Sequence, residues 1–344
     1  MTIAFRTVHL KKRFPLRISR GEITGSDNLF VSVTEGGVTG WGEMAPGASE
    51  GAGTAAEGEA MLADFAAGGL PGSIHETWAA ARAAGVAPCA LAALDIALWD
   101  LRAKQAGMPL HRLLGLPRRA VPSSLTVGIN PPEVVRERVP LLLAQGARAL
   151  KIKLGSPEGV AADQAMFAAV TEAVAGANVL LRVDANGGWS LDEARRMMRW
   201  LADRGVEYVE QPLVRGAEEE LPALFRDRPL PIYADESCRM SADVPALADR
   251  VDGVNLKLMK AGGITEALRI VATARAHGLG TMIGCMGESS VAIAAGASLG
   301  ALFDQIDLDS HLNLDPDPAE GAPFVDGMTL PAERPGHGGR LRDA

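Results

Sequence analysis

Aromatic side chains are scarce: Phe, Trp and Tyr make up 4% of the 344 residues, while hydrophobic residues as a whole reach 47%. Alanine and glycine fill the difference, which suits a tightly packed α/β protein from a high-GC genome. Cysteine is almost absent. Cys89, Cys238 and Cys285 are odd in number and far apart, a pattern of reduced thiols in a cytosol rather than a disulfide framework. Positive charge is not in excess: the formal net charge is -8, which argues against nonspecific nucleic-acid binding. No apolar run approaches the length of a membrane span. The opening MTIAFRTVHLKKRFPL has no continuous apolar stretch followed by a small-residue cleavage site, so no signal peptide is read and a cytoplasmic location is expected. No G-x-G-x-x-G or P-loop is present either.

What is present changes character along the chain. Residues 1 to about 45 alternate as β-structure. Leu29-Phe30-Val31-Ser32-Val33 meets Glu35-Gly36-Gly37 and continues as Val38-Thr39-Gly40-Trp41-Gly42-Glu43, a hairpin with a glycine turn. Arg17 to Glu22 connects two earlier strands, and 44–53 is a Gly/Pro/Ala/Ser loop. Residues 54 to about 115 read as helical. The best segment is 88–104, with Leu91, Leu94, Leu98 and Leu101 on a core-facing stripe and Asp95, Asp100 and Arg102 off it.

From about residue 121 eight short apolar runs follow: 124–129, 149–154, 179–183, 206–210, 231–234, 253–258, 280–284 and 305–308. They recur roughly every 25 residues with amphipathic stretches between, the size of one β/α unit. Fully apolar runs suit strands buried on both faces. The fold class expected is α/β, a modified (β/α)7β barrel under an α+β cap; a doubly wound open sheet is the alternative. The expected division is 1–118 cap, 119–310 barrel and 311–344 a tail returning to the cap, with 324–330 as a short hairpin in that tail.

Charged residues stand where these strands end. Lys151 and Lys153 share one side of the second strand, since side chains alternate. Asp184, Glu210 and Asp235 end the third, fourth and fifth strands, Lys257 the sixth, and Asp307 and Asp309 the eighth. In a β/α barrel that end is where sites form. Three converging carboxylates repel one another without a cation, and hard oxygen ligands with room for water suit Mg²⁺. The bland reading is that Asp184 and Asp235 cap the helices that follow. Lys153 and Lys257, on the second and sixth of eight strands, would face each other across the barrel. Two such groups on opposite faces of one carbon permit a 1,1-proton transfer α to a carboxylate, with the cation stabilising the enediolate. Lys151 would tune the charge there, and the plain alternative is that the lysines only ion-pair with the acids. Lys260 falls past a strand end and is read as solvent-facing or as a supporting residue.

The runs Lys151-Ile152-Lys153, Val183-Asp184-Ala185-Asn186, Glu210-Gln211-Pro212-Leu213, Ala234-Asp235-Glu236-Ser237 and Asn255-Leu256-Lys257-Leu258 resemble, in order, the signature of the enolase superfamily in its muconate lactonizing enzyme subgroup. Gly40-Trp41-Gly42-Glu43 and Ala97 to Leu101 extend the resemblance over nearly the whole chain. It implies a cap built from both chain ends, metal ligands at Asp184, Glu210 and Asp235, and acid/base lysines at Lys153 and Lys257. Asp307-Leu308-Asp309 resembles the Asp-x-Asp of dipeptide epimerases, where two acids hold a free amino group. Gly284-Cys285-Met286-Gly287-Glu288 is similar to the seventh-strand end of those enzymes, Arg20 to an arginine that meets an acidic substrate side chain, and Thr126 to a substrate-contacting threonine. The resemblance thus implies a Mg²⁺-dependent dipeptide epimerase, with L-Ala-D/L-Glu from murein peptides as expected substrate. N-acylamino acid racemisation and o-succinylbenzoate synthesis stay open, as does a noncatalytic metal-binding scaffold; no membrane or nucleic-acid partner is expected, and assembly with further copies of itself is left open. No histidine ends the seventh strand, which sets aside the mandelate racemase type of site. Cys285 has no histidine nearby in a strand-end motif and is read as packing rather than as a nucleophile.

Overall fold

The computed structural model describes residues 1–342. Alternating polarity in the first 45 residues becomes a three-stranded antiparallel sheet, β1 (Thr2–Ile18), β2 (Gly21–Glu35) and β3 (Val38–Met44), in the order β1-β2-β3. Four helices follow: α1 (Ala55–Ala66), α2 (Ile74–Ala83), α3 (Pro88–Gln105) and the short α4 (Leu110–Leu113). Helix α3 lies so close against β3 that a Cβ on Gly42 would meet the Ala93 carbonyl oxygen at 1.9 Å, which only glycine avoids.

The remainder alternates strand and helix. In order come β4 (Ser124–Val127), α5 (Pro132–Ala144), β5 (Ala149–Lys153), α6 (Val160–Ala173), β6 (Leu180–Asp184), α7 (Leu191–Ala202), β7 (Val206–Glu210) and α8 (Leu221–Phe225). Then come β8 (Ile232–Ala234), α9 (Val244–Leu247), β9 (Gly253–Lys257), the one-turn α10 (Leu258–Ala261), α11 (Ile264–Ala276), β10 (Gly280–Gly284), α12 (Ser290–Ala297) and β11 (Gln305–Asp307). All eight strands, β4 to β11, pair in parallel in chain order, and a parallel bridge from Ser123 to Ile306 closes the ring. The eight apolar runs of the sequence are these strands, each within a residue or two, because burial on both faces leaves little room for polar side chains. Among the described residues no helix is long and apolar enough to cross a membrane.

Cap and barrel are joined by buried carboxylates that the sequence pattern did not place. Asp95 and Asp100 fall off the leucine stripe of α3, yet both are buried. Helix α3 is enclosed on all sides, so its polar residues are connectors rather than a solvated face. Asp95 accepts from Thr265 N (2.9 Å) and Thr265 Oγ1 (2.6 Å), capping α11 from another domain. Asp100 accepts from Trp41 N and His337 N, tying β3 and the tail to α3. Glu43 does for α12 what Asp95 does for α11: it accepts from Ser289 N, Ser289 Oγ and Ala292 N, and from Asn28 Nδ2. The tail touches the cap through Leu314, bridged to Lys12, and Gly336, bridged to Pro109. The hairpin at its centre, β13 (Phe324–Val325) and β14 (Met328–Thr329), lies instead on the barrel, where Gly327 O accepts from Ser123 N and Thr329 Oγ1 donates to Leu308 O. The remaining tail strands, β12 (Ala319–Glu320) and β15 (Arg340–Leu341), pair with each other.

Burial pushes the Asp95 carboxyl up to about 7 despite its bonds from Thr265. That lies above the 3.8 of a free Asp, so the folded chain binds a proton that the unfolded chain lacks between those values. The stabilisation is present at low pH and lost as pH rises through about 7. Between pH 5.5 and 7.5 it amounts to about 2 kcal/mol. Urea unfolding across that range is therefore expected to show stability falling with pH, with a shallower fall in Asp95→Asn.

Candidate active site

The ends of the parallel strands bring the charged residues together. Register sets Lys153 beside Asp184, Asp184 beside Glu210, and Gly284 between Lys257 and Asp307. A Cβ on Gly284 would meet Asn255 Nδ2 at 2.9 Å and Lys257 Cε at 3.2 Å, so β10 offers no side chain where these two need space. Asp184, Glu210 and Asp235 are buried, with one carboxylate oxygen from each within 4.8 Å of the others. The chain turns sharply at these ends. Asn186 (φ 46°) and Gln211 (φ 37°) are left-handed non-glycine residues just past Asp184 and Glu210, a conformation held by bonds around the acids. Asn186 N donates to Asp184 Oδ1 at 2.8 Å, and Gln211 Oε1 accepts from Asp235 N at 2.9 Å.

Lysines neutralise the acids from every side. Lys151, fully buried, reaches Asp184 (3.2 Å), Glu210 (2.7 Å) and Asp307 (2.7 Å). Lys153 reaches Asp184 at 2.6 Å from one wall, and Lys257 reaches Asp235 at 2.8 Å from the opposite one. Strands β5 and β9 are four places apart in the ring of eight in either direction, so these two lysines face each other. Lys260 is buried, not solvent-facing. The single turn of α10 folds it back under Asp235, where it donates to Oδ1 at 2.5 Å and to the carbonyls of Asp235, Cys238 and Asn255. Asn255, two residues before Lys257 on the same face of β9, donates to Glu210 Oε1 at 2.8 Å.

The electrostatics follow from this arrangement. Burial alone would raise the Asp184 carboxyl, but Lys153 and Lys151 override it and hold it well below the usual range. Asp235 is held low in the same way, by Lys257 and Lys260. Glu210 goes the other way, pushed up to about 8 by burial and by the Asp184 charge, with Lys151 opposing. The Lys151 and Lys257 ammonium groups are both raised, because Asp307, Glu210 and Asp184 in one case and Asp235 in the other outweigh burial. The triad fits a divalent cation. Glu210 Oε2 and Asp235 Oδ2 are buried, lie within ion-pair distance of lysines and take part in no aligned hydrogen bond. Together with Asp184 they form an all-oxygen donor set of the kind Mg²⁺ takes.

A cavity opens from Lys153 toward the cap. Asp307, Asp309, Thr126, Cys285 and Met286 line it, as do the cap residues Lys12 to Leu16. Asp309 accepts from Thr126 N at 2.6 Å, and burial beside Asp307 pushes its carboxyl up to about 6. Asp307 keeps Oδ1 unpartnered and buried. The Cys285 thiol is raised well above its ordinary value by burial and by Asp309, so it is no thiolate nucleophile. Lys151 lies beneath this cavity, enclosed among its three carboxylates. Arg20 stands apart at the rim, where it pairs with Glu236 (2.8 Å) and donates to Asn186 O (3.0 Å). Sequence reasoning missed Asn255 and Lys12 and left Lys260 undecided. For Asn255 the available signal was its place two residues from Lys257 on one strand.

Fold and site together define a capped β/α-barrel with a cation-type carboxylate triad set between two opposed lysines. Residues 1–115 match the family described as mandelate racemase / muconate lactonizing enzyme, N-terminal domain, and residues 134–344 match the enolase C-terminal domain-like family. The chain belongs to this enolase-like family. It is 75% identical, over the full length of both chains, to a protein of Roseobacter litoralis named hydrophobic dipeptide epimerase. It is 59% identical to a protein of the same name from a Flavobacteria bacterium, covering 100% of this chain and 99% of that one. Its fold matches the dipeptide epimerase of Enterococcus faecalis solved with Mg and L-Leu-L-Tyr, with a TM-score of 0.90, 34% identity and 98% of each chain covered.

One divalent cation per chain is the expected stoichiometry in a Mn²⁺ or Mg²⁺ titration followed by calorimetry. Glu210→Gln should weaken it by roughly a hundredfold or more while leaving the melting temperature of the metal-free protein at pH 6 nearly unchanged, since the raised Glu210 carboxyl is already mostly neutral there.

Proposed function

We propose that the protein is a Mg²⁺-dependent dipeptide epimerase that inverts the α-carbon of the C-terminal residue of its substrate. The observation that carries this reading is the placement of Lys153 and Lys257 on opposite walls of the barrel, each touching a different acid of the triad. A substrate carboxylate drawn to the triad leaves its α-carbon between two nitrogen groups, one per face. Asp184, Glu210 and Asp235 would hold the Mg²⁺, which would supply Lewis-acid stabilisation of the charge that develops on that carboxylate.

The chain's own residues do the rest. Lys257 is held as an ammonium by Asp235, and Lys153 lies against Asp184 on the opposite wall, so each can hold or pass a proton at its own face of the substrate's α-carbon. Lys151 and Lys260 keep their acids in place without facing the opposite wall. Asp309 and the free Oδ1 of Asp307 form the acceptor pair for the substrate's amino terminus, and Thr126 N fixes Asp309. That pair favours a free dipeptide over an N-acyl amino acid or a succinylbenzoate, which would leave both acids unpaired.

For the side chains, we read hydrophobic dipeptides in place of L-Ala-D/L-Glu. The two relatives at 75% and 59% identity carry the name hydrophobic dipeptide epimerase. Arg20, on which recognition of an acidic side chain would rest, already has Glu236 and the Asn186 carbonyl as partners.

The test is incubation of L,L-dipeptides such as L-Leu-L-Tyr in D₂O with Mg²⁺. Deuterium should enter the C-terminal α-position with inversion. Lys153→Ala and Lys257→Ala should each slow epimerisation by roughly a thousandfold or more. Each variant should still wash out the α-proton of one epimer, the face its surviving lysine serves. Exchange of N-acyl amino acids with none in any free dipeptide would refute the proposal.

A further inference from the structure

One cation in the cavity makes no ion pair among the described residues. Lys12 lies in the bulge that interrupts β1–β2 pairing between Lys11 and Leu16, and it is 7% exposed. Among the described residues its ammonium takes part in no hydrogen bond and no ion pair. Burial pulls its pKa down, with the Asp309 charge opposing. The side chain is largely buried and lines the cavity, so its unpaired ammonium is part of the surface a ligand there would meet.

The bulge is a fixed wall rather than a loose loop. Asp315 N donates to Lys11 O, and Lys12 bridges to Leu314. Asn313 clamps Phe14 through two hydrogen bonds, from Phe14 N at 3.0 Å and to Phe14 O at 2.9 Å. Arg138 stacks on the Phe14 ring at 4.2 Å, so the same wall carries further positive charge at its rim, with Arg13 beside it. The two acids of the cavity have other partners, and the proposed function gives what capacity they keep to the substrate's amino group. Asp307 shares its charge with Lys151, and Asp309 is bonded to Thr126 N.

This inference rests on the proposed function, in which the dipeptide's amino group sits at Asp307 and Asp309. The side chain on the same carbon then has the rest of the cavity, walled by Phe14, Leu16, Leu125, Val127, Leu312 and Lys12. We propose that Lys12 is a specificity-determining residue of the first-residue pocket: its buried charge rejects cationic first side chains and leaves apolar ones. A first-position Lys or Arg would set a second cation beside one that makes no ion pair, while the cavity's two acids hold the amino terminus. An apolar side chain meets the Lys12 methylenes and the aliphatic wall instead.

The experiment compares kcat/KM for L-Leu-L-Tyr, L-Gln-L-Tyr and L-Lys-L-Tyr in the wild type, Lys12→Met and Lys12→Glu. The wild type should prefer Leu over Lys at the first position by at least about thirtyfold, with neutral polar Gln between them. Lys12→Met should cut the Leu-over-Lys preference by about tenfold, mainly through KM, and leave the Leu-over-Gln ratio nearly unchanged. Lys12→Glu should cut it further. Circular dichroism and a thermal melt matching the wild type show that Lys12→Met is folded, whatever its turnover. Unchanged ratios in both variants, or a wild type that takes L-Lys-L-Tyr as readily as L-Leu-L-Tyr, would overturn the role of Lys12 while leaving the epimerase reading intact. Failure of the wild type to exchange any dipeptide would overturn both.

Discussion

Three carboxylates in a dry barrel repel one another by several kcal/mol unless positive charge is brought among them. Lys151, Lys153, Lys257 and Lys260 bring it, each from a different direction. Lys151 is the central one, because it joins acids on β6, β7 and β11 at once. The balance is uneven by construction: Asp184 and Asp235 are held ionised, whereas Glu210 between them is pushed up. A divalent cation at the triad would relieve this unevenness, since its positive charge would favour the ionised form of Glu210. Lys153 and Lys257 each touch an acid of that same triad. One charge problem thus gives both a cation site and two lysines set against it.

The cap is coupled to this site by the same chemistry of buried acids. Glu43 and Asp95 reach from the cap to the exposed amides at the starts of α12 and α11. Those helices follow β9, β10 and their loops, which carry Lys257, Cys285 and Met286. The β1–β2 turn crosses the mouth, where Ser19 and Arg20 both donate to Asn186 O, and Asn186 in turn donates to Asp184. The barrel carries the groups that would move protons, and the cap supplies the Lys12–Leu16 wall of the cavity. Chemistry and selectivity can therefore vary separately on one scaffold.

The barrel was legible because its physics is written locally. Strands buried on both faces read as apolar runs, and a charge ending such a run stands out. The acids and the two opposed lysines follow from strand order alone. What stayed hidden depends on partners distant in the chain. Asp95 and Asp100 looked like the wet side of an amphipathic helix, and nothing local tells that α3 is covered all round. Lys260 differs from a surface lysine only in the single helical turn that folds it under Asp235. Lys12, in a run of basic residues on an alternating strand, reads as exposed until the tail closes over it. The 324–330 hairpin was visible as a hairpin, but the surface it packs on is set by Ser123 and Leu308 rather than by its own residues.

The central claim is that Lys153 and Lys257 address opposite faces of one α-carbon. A crystal structure of the protein with Mg²⁺ and a dipeptide tests it most directly. The account predicts the C-terminal α-carbon between the two Nζ atoms, each about 3.5 Å from it and on opposite sides of the plane of its substituents. Both lysines on one side, or the α-carbon out of reach of either, would contradict it.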